Sequence, residues 1–230
     1  MLEIYSIHYN KPEYAKLQID SFKKFINNDY SFTIIDNSIN ENISRDIKNI
    51  CDENGIGYLK TDNKTPHDHM HYGWSHIYGL NYFKNLLLNS ESVYIMLIEH
   101  DIFLCSDIEK MYNIVSENSI CGVYQERGDI NYLHPGLLFF NKPLCVNLND
   151  IDFGGGHVEN THVDVGGQTH YYINRSDIKT FYIDNEIISS GLEDINGQIF
   201  YHMVDGSNWS NNSESINRQK LEKIKKIIYE

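Results

Sequence analysis

Val93-Tyr94-Ile95-Met96-Leu97-Ile98-Glu99-His100-Asp101 is the stretch that decides the fold. An uninterrupted apolar run of this length suits a strand buried on both faces, as in a parallel sheet covered by helices. The run closes on acid, at Glu99 and Asp101. Ligands of open α/β sheets bind outside the carboxyl ends of the strands, so the residues that follow each strand are where chemistry is to be sought.

Upstream, Leu2 to Ile7 reads as a short buried strand ending at His8-Tyr9-Asn10. Pro12 suits the first turn of a helix, and Tyr14, Leu17, Phe22, Phe25 and Ile26 give that helix one apolar face. Phe32 to Ile35 is a second apolar strand, closing on Asp36-Asn37-Ser38. Ile43, Ile47, Ile50 and Cys51 recur at helical spacing and stop at Gly55. Gly57 to Lys60 reads as a third strand. After the polar stretch from Thr61 to His71, Leu80, Phe83 and Leu87 mark another helix. Downstream, Ser106 and Glu109 have the spacing of a capping box. Strand-like runs at 121–124 and 137–140 precede the glycine turns Gly154-Gly155-Gly156 and Gly166-Gly167. The last segment, Ser215 to Tyr229, reads as a helix with Ile216, Leu221, Ile224 and Ile228 among basic residues. Strand–helix alternation through the first half predicts a doubly wound α/β sheet in three layers.

The chain has 230 residues and a formal charge of −13, with 41% apolar and 22% charged residues. One domain with a sizeable core is expected. The acidic balance argues against a nucleic-acid partner, whose phosphates are held by Lys and Arg surfaces. A nucleotide ligand would then need a metal to bridge its diphosphate to an acidic site. Tyrosine occurs 17 times, which either supplies flat side chains for sugar and base pockets or reflects compositional bias. Cys51, Cys105, Cys121 and Cys145 form no CxxC pair, so neither a zinc framework nor a disulfide scaffold is indicated. A cytoplasmic location with reduced thiols is expected, and no apolar run reaches membrane-spanning length.

The opening IYSIHYNKPEYAKLQIDSFKKFINNDYSFTIIDNS, residues 4–38, resembles that of nucleotide-sugar glycosyltransferases of the GT-A fold. These begin with a strand ending in Tyr-Asn, a proline-led helix, and a strand ending in Asp. The segment VYIMLIEHDIFLCSDIEKM at 93–111 is similar to the family's apolar strand with its Asp-x-Asp motif, with Glu99 in place of the first Asp. The resemblance implies a GT-A-like doubly wound mixed sheet in one catalytic domain. Residues 1–110 would be the nucleotide-binding half, 111–212 the acceptor half and 213–230 a terminal helix. It implies a glycosyltransferase that takes a nucleotide-diphosphate sugar, UDP-sugar favoured, to a glycan or other hydroxyl acceptor. His8, Tyr9, Asn10, Asp36, Glu99 and His100 would surround the nucleotide, with His69 and Gly73 shaping the donor pocket. Asp101 would hold Mn²⁺ or Mg²⁺, neutralising charge on the diphosphate leaving group. The segment IFYHMVDGSNW at 199–209 looks like the family's late element, with His202 as a second metal ligand and Gly206-Ser207 near the phosphates. Asp164 and Glu193, each beside glycines, are the candidate general bases.

Two other readings compete. The cluster His67, His69, His71 and His76 has the H-x-H spacing that opens a metallo-hydrolase zinc motif, but Tyr72-Gly73 stand where an Asp-His pair belongs. A binding module that holds a nucleotide or glycan without turnover would need no base at Asp164 or Glu193. The basic terminal helix could lie on an anionic membrane, or close over the domain with a solvated outer face.

Overall fold

The computed structural model describes residues 1–65, 72–189, 192–197, 199–203 and 214–230. In chain order the first half holds β1 (Leu2–His8), α1 (Pro12–Phe25), β2 (Tyr30–Asp36), α2 (Glu41–Asn54), β3 (Gly57–Lys60), α3 (Tyr72–Asn89) and β4 (Tyr94–Glu99). Then come β5 (Ile102–Leu104), α4 (Glu109–Glu117), β6 (Ile120–Arg127), β7 (Ile130–Asn141), β8 (Gly156–Val158), β9 (Thr161–Val163) and α5 (Thr169–Ile173). The chain ends with β10 (Thr180–Ile183), β11 (Asn185–Ser189), β12 (Leu192–Ile195), β13 (Phe200–Met203) and α6 (Glu214–Tyr229).

A seven-stranded mixed sheet in the order β10-β6-β7-β4-β1-β2-β3 organises the molecule. Strands β3, β2, β1 and β4 are mutually parallel, and β7 pairs antiparallel with β4. The central run alternates between the two faces of this sheet. Met96 and Ile98 join the core under α1, α2 and α4, whereas Ile95 and Leu97 join the core under α3 and α5. All four are fully buried, which is why no polar residue interrupts them. Fully burying a side chain of this size contributes about 1.5–3 kcal/mol. The strand is shifted one residue from the expectation: Val93 lies outside it and is exposed, and Glu99 lies within it.

Helix ends follow local chemistry. Pro12 starts α1, and the Asn40 side chain caps α2 by accepting from the Asn42 and Ile43 N–H groups. Gly55 stops α2 in the left-handed conformation at φ 68°, where a side chain is disfavoured. The expected Ser106–Glu109 box does not form. Asp107 Oδ1 instead accepts from the Glu109 N–H at 2.8 Å, and α4 begins at Glu109. An aspartate two residues before the helix makes the same kind of bond with a shorter reach.

A second, antiparallel sheet in the order β11-β12-β13-β5 stands beyond the end of β4. Strand β13 pairs with β5 directly after Asp101, and the Met203 N–H donates to the Asp101 carbonyl at 2.9 Å. Helix α6 seats Leu221, Ile224 and Ile228 against Tyr14, Leu17, Phe103, Tyr201 and Met203. The apolar side of the helix is therefore occupied by the domain itself. No helix among the described residues is long and apolar enough to cross a membrane.

Candidate functional site

Strand order reverses between β1 and β4: β2 and β3 continue on one side of β1, and β7, β6 and β10 on the far side of β4. Such a switch point opens a crevice at the carboxyl ends of the two strands. His8 ends β1, Glu99 ends β4, and His100 and Asp101 follow. The His100 N–H donates to the Ile7 carbonyl, and the Asn37 N–H donates to the His8 carbonyl at 2.8 Å. Asn10 turns the chain away in the left-handed conformation at φ 52°, with its N–H donating to Ser38 Oγ.

A buried glutamine that sequence reasoning passed over ties these ends together. Gln18 lies on the inner face of α1 and is fully buried. Its Nε2 donates to the carbonyls of Glu99 and Ile102, and its Oε1 accepts from Ser6 Oγ at 2.8 Å and from His8 Nε2 at 3.0 Å. A polar residue on the buried stripe of an amphipathic helix is the signal that marks it.

Five titratable side chains converge on the end of β4. His76, from α3, meets Glu99 Oε1 through Nε2 at 2.5 Å. Burial works against the charged form of His76, but the adjoining Glu99 carboxylate, with Asp101 and Asp164, raises its pKa above the ordinary value. Burial likewise opposes the Glu99 charge, yet His76, His134 and His202 hold that carboxyl well below the usual range. His202 Nε2 comes within 3.8 Å of Asp101 Oδ1, and its ring lies 5.9 Å from that of His134. The pairing of β13 with β5 makes this meeting possible.

Several buried polar atoms at these strand ends are left without hydrogen-bond partners. His8 Nδ1, Asn10 Oδ1, His100 Nε2 and Asp101 Oδ1 are buried and accept or donate no hydrogen bond among the described residues. Each such atom costs about 1–3 kcal/mol, and proteins leave few of them. Burial depresses the pKa of His8 to about 4 and also lowers that of His100. Both imidazoles are thus neutral lone-pair donors at neutral pH. His100 stacks on Tyr14 at 5.8 Å.

The remaining expected residues distribute unevenly. Asp36 sits at the end of β2 but is fully buried. Its Oδ1 accepts from the Ser38 N–H, its Oδ2 accepts from Tyr58 Oη at 2.8 Å, and Lys60 Nζ stands 3.6 Å away. Tyr9 is buried one residue beyond His8, which stands opposite Asp36 in register, and Gly73 lies in the first turn of α3 with space for a Cβ 3.5 Å from Val165. Asp164 is exposed, accepts from the Val165 N–H, and faces Arg127 at 3.5 Å. Glu193 lies in β12 opposite His202 in register. His67, His69, His71, Gly206 and Ser207 lie outside the described residues.

Asp101 and His202 bring two candidate donors for a divalent cation near each other. A carboxylate oxygen without a hydrogen bond and an imidazole nitrogen within 3.8 Å provide one oxygen and one nitrogen donor, a set compatible with Mn²⁺. Among the described residues no group of three or more His, Cys, Asp or Glu is arranged as a complete metal site, so other positions would fall to a ligand.

Comparison with sequence families and with curated proteins gives no match. Solved structures do match. A mannosyltransferase from Pyrobaculum calidifontis, in complex with GDP-Man and Mn²⁺, is similar at 9% identity and a TM-score of 0.54, over 79% of this chain and 54% of that one. S. aureus TarS 1-349, in complex with UDP-GlcNAc, is similar at 11% identity and a TM-score of 0.52, over 98% of this chain and 66% of that one. The galactosyltransferase LgtC is similar at 12% identity and a TM-score of 0.44, over 60% and 57%. The chain spans a little over half the length of the first of these structures. The fold is that of a GT-A-type glycosyltransferase.

Proposed function

We propose that this chain is a metal-assisted glycosyltransferase that moves a sugar from a nucleotide-diphosphate sugar, with UDP-sugars favoured, to a hydroxyl acceptor. The observation that carries the reading is the group of buried, unpartnered polar atoms at the β1/β4 switch point. A polar ligand bound there would satisfy them, and the fold neighbours with GDP-Man and UDP-GlcNAc support a nucleotide sugar as that ligand.

Asp101 and His202 would hold Mn²⁺ or Mg²⁺ between the strand ends. A cation bound there supplies Lewis-acid neutralisation of the diphosphate leaving group. Tyr9, Asn10 and His100 would line the nucleoside. Asp36 supports them at one remove: it fixes the Ser38 N–H, and Ser38 Oγ fixes the Asn10 N–H. Glu99, engaged by His76, would shape the floor of the site. Asp164 is the first choice of base, since it is exposed to an incoming acceptor and its charge reaches His76. Glu193, opposite His202 in register, is the second.

A thermal-shift screen of UDP-, GDP- and dTDP-sugars with and without Mn²⁺ tests the reading. Ligand at 100 times its Kd stabilises by about 2.7 kcal/mol, which raises Tm by roughly 5–10 °C in a domain of this size. At least one donor should do so, and more strongly with Mn²⁺. No stabilisation by any nucleotide sugar would overturn the proposal.

A further inference from the structure

We infer that His157 and His162, on the outer face of the β8–β9 hairpin, form a chelating site for a divalent cation of the zinc, nickel or copper kind. The site uses none of the crevice residues and does not depend on the nucleotide reading. Strands β8 and β9 pair antiparallel, with His157 directly opposite His162 in register. Side chains so placed on one face have Cβ atoms about 4.5–5.5 Å apart. Alternation along the strands sends Val158 and Val163 inward, where both are buried in a cluster with Ile130 and Tyr132. The same alternation sends both histidines outward, and both are exposed. Their ring centroids lie 5.3 Å apart, with the ring planes at 87°.

An imidazole nitrogen binds zinc at about 2.0–2.1 Å, so two rings on one tetrahedral ion have centroids about 5 Å apart. That is the separation the hairpin already sets. The edge-to-face contact needs only a turn about χ2, a broad torsion in histidine, to aim one nitrogen of each ring at a shared point. Neither imidazole makes a hydrogen bond to another described residue, so no such bond is lost in that turn. The backbone beneath is held on the α5 side at two points. Gln168 Nε2 donates to the His157 carbonyl at 3.0 Å, and the Glu159 N–H in the hairpin turn donates to Tyr171 Oη at 3.3 Å. With the spacing fixed in advance, the second imidazole acts as a ligand at high effective concentration, an advantage that two separate surface histidines lack. Imidazole suits zinc, copper and nickel, whereas magnesium takes oxygen ligands. Two protein nitrogens leave the other positions on the ion to water.

Nuclear magnetic resonance of the imidazole nitrogens tests this on the full-length protein, titrated with zinc chloride and, separately, with magnesium chloride. His157→Gln and His162→Gln assign the two signals. Both rings should move together on one binding curve with zinc and stay in place with magnesium. His157→Gln should weaken zinc binding at His162 by at least about tenfold, and His162→Gln should do the same to His157, because each substitution removes half of a chelate. Both side chains are exposed, so neither substitution takes an apolar contact from the core, and melting curves check that the variants fold. Separate binding curves for the two rings would overturn the inference, as would a His162 midpoint that is unchanged in folded His157→Gln. Zinc that leaves both rings unmoved would overturn it as well.

Discussion

Asp101 and His202 stand far apart in sequence and 3.8 Å apart in space, and their roles separate by substitution. His202→Ala should weaken Mn²⁺-dependent donor binding at least about tenfold, the scale of a lost charged contact, and leave metal-free nucleotide binding nearly unchanged. Titration calorimetry in both conditions checks this, and an equal loss in each would mean a packing role. Asp164→Asn keeps shape and removes basicity, so turnover should fall by about 10²–10⁴ while donor binding survives. Near-normal turnover in sugar-transfer assays would shift the base to Glu193 or remove the need for one. The His76–Glu99 pair makes a prediction in pH. His76 is raised above its ordinary 6.5, so its contribution to stability is full below that value and is lost as pH rises through the folded-state value. Glu99 is depressed below its ordinary 4.5, so its contribution is present above that value and is lost as pH falls. The stability difference between the unaltered protein and His76→Gln should therefore be largest between pH 4.5 and 6.5. Denaturant melts that give a pH-independent difference would show the pair to be electrostatically idle.

Individual elements carry the stability of this site. Leu97 in β4 is fully buried beneath α3, and Leu97→Ala should cost about 2–5 kcal/mol, measurable by denaturant unfolding. Gly166, in the turn after Asp164, has φ 89°, and a Cβ there would lie 2.7 Å from Pro135 Cδ and 2.8 Å from the Leu133 carbonyl oxygen. Gly166→Ala should displace the Asp164 loop from β7 and lower activity along with stability. How much of this was legible in the sequence depended on whether the signal was local. The β4 run, Pro12 at α1 and Gly55 after α2 announce themselves through side-chain period, fixed φ and permitted left-handed backbone, all properties of a few adjacent residues. The α4 start misled because Ser106 has the capping-box spacing while Asp107 makes the bond. The site was legible strand by strand, as acids and histidines at strand ends. What the residues could not disclose was which of them meet: that His76 takes Glu99, that Asp36 is closed in by Tyr58 and Ser38, and that Gln18 clasps both central strand ends. Those contacts depend on strand order and on helix packing across long stretches of chain.

At the scale of the molecule, one sheet supplies the floor of the crevice and the second sheet supplies its late histidine. The antiparallel strand β7 beside β4 carries His134 toward Glu99, and β13 beside β5 carries His202 toward Asp101. Helix α6 closes over α1 and β13, with Lys24 Nζ donating to the Ile227 carbonyl and Tyr229 Oη donating to Asp20 Oδ2. Its Leu221, Ile224 and Ile228 pack in one cluster with Tyr201 and Met203 of the strand that bears His202. The central claim is that the β1/β4 switch point holds a nucleotide diphosphate through a cation carried by Asp101 and His202. Its most direct measurement is a crystal structure of the protein grown with UDP and Mn²⁺, with anomalous diffraction recorded at the manganese edge. An anomalous peak is expected between Asp101 Oδ1 and His202 Nε2, beside the diphosphate, with the base lying at the end of β1. UDP bound elsewhere on the molecule, or bound at the switch point with manganese held by neither residue, would contradict it.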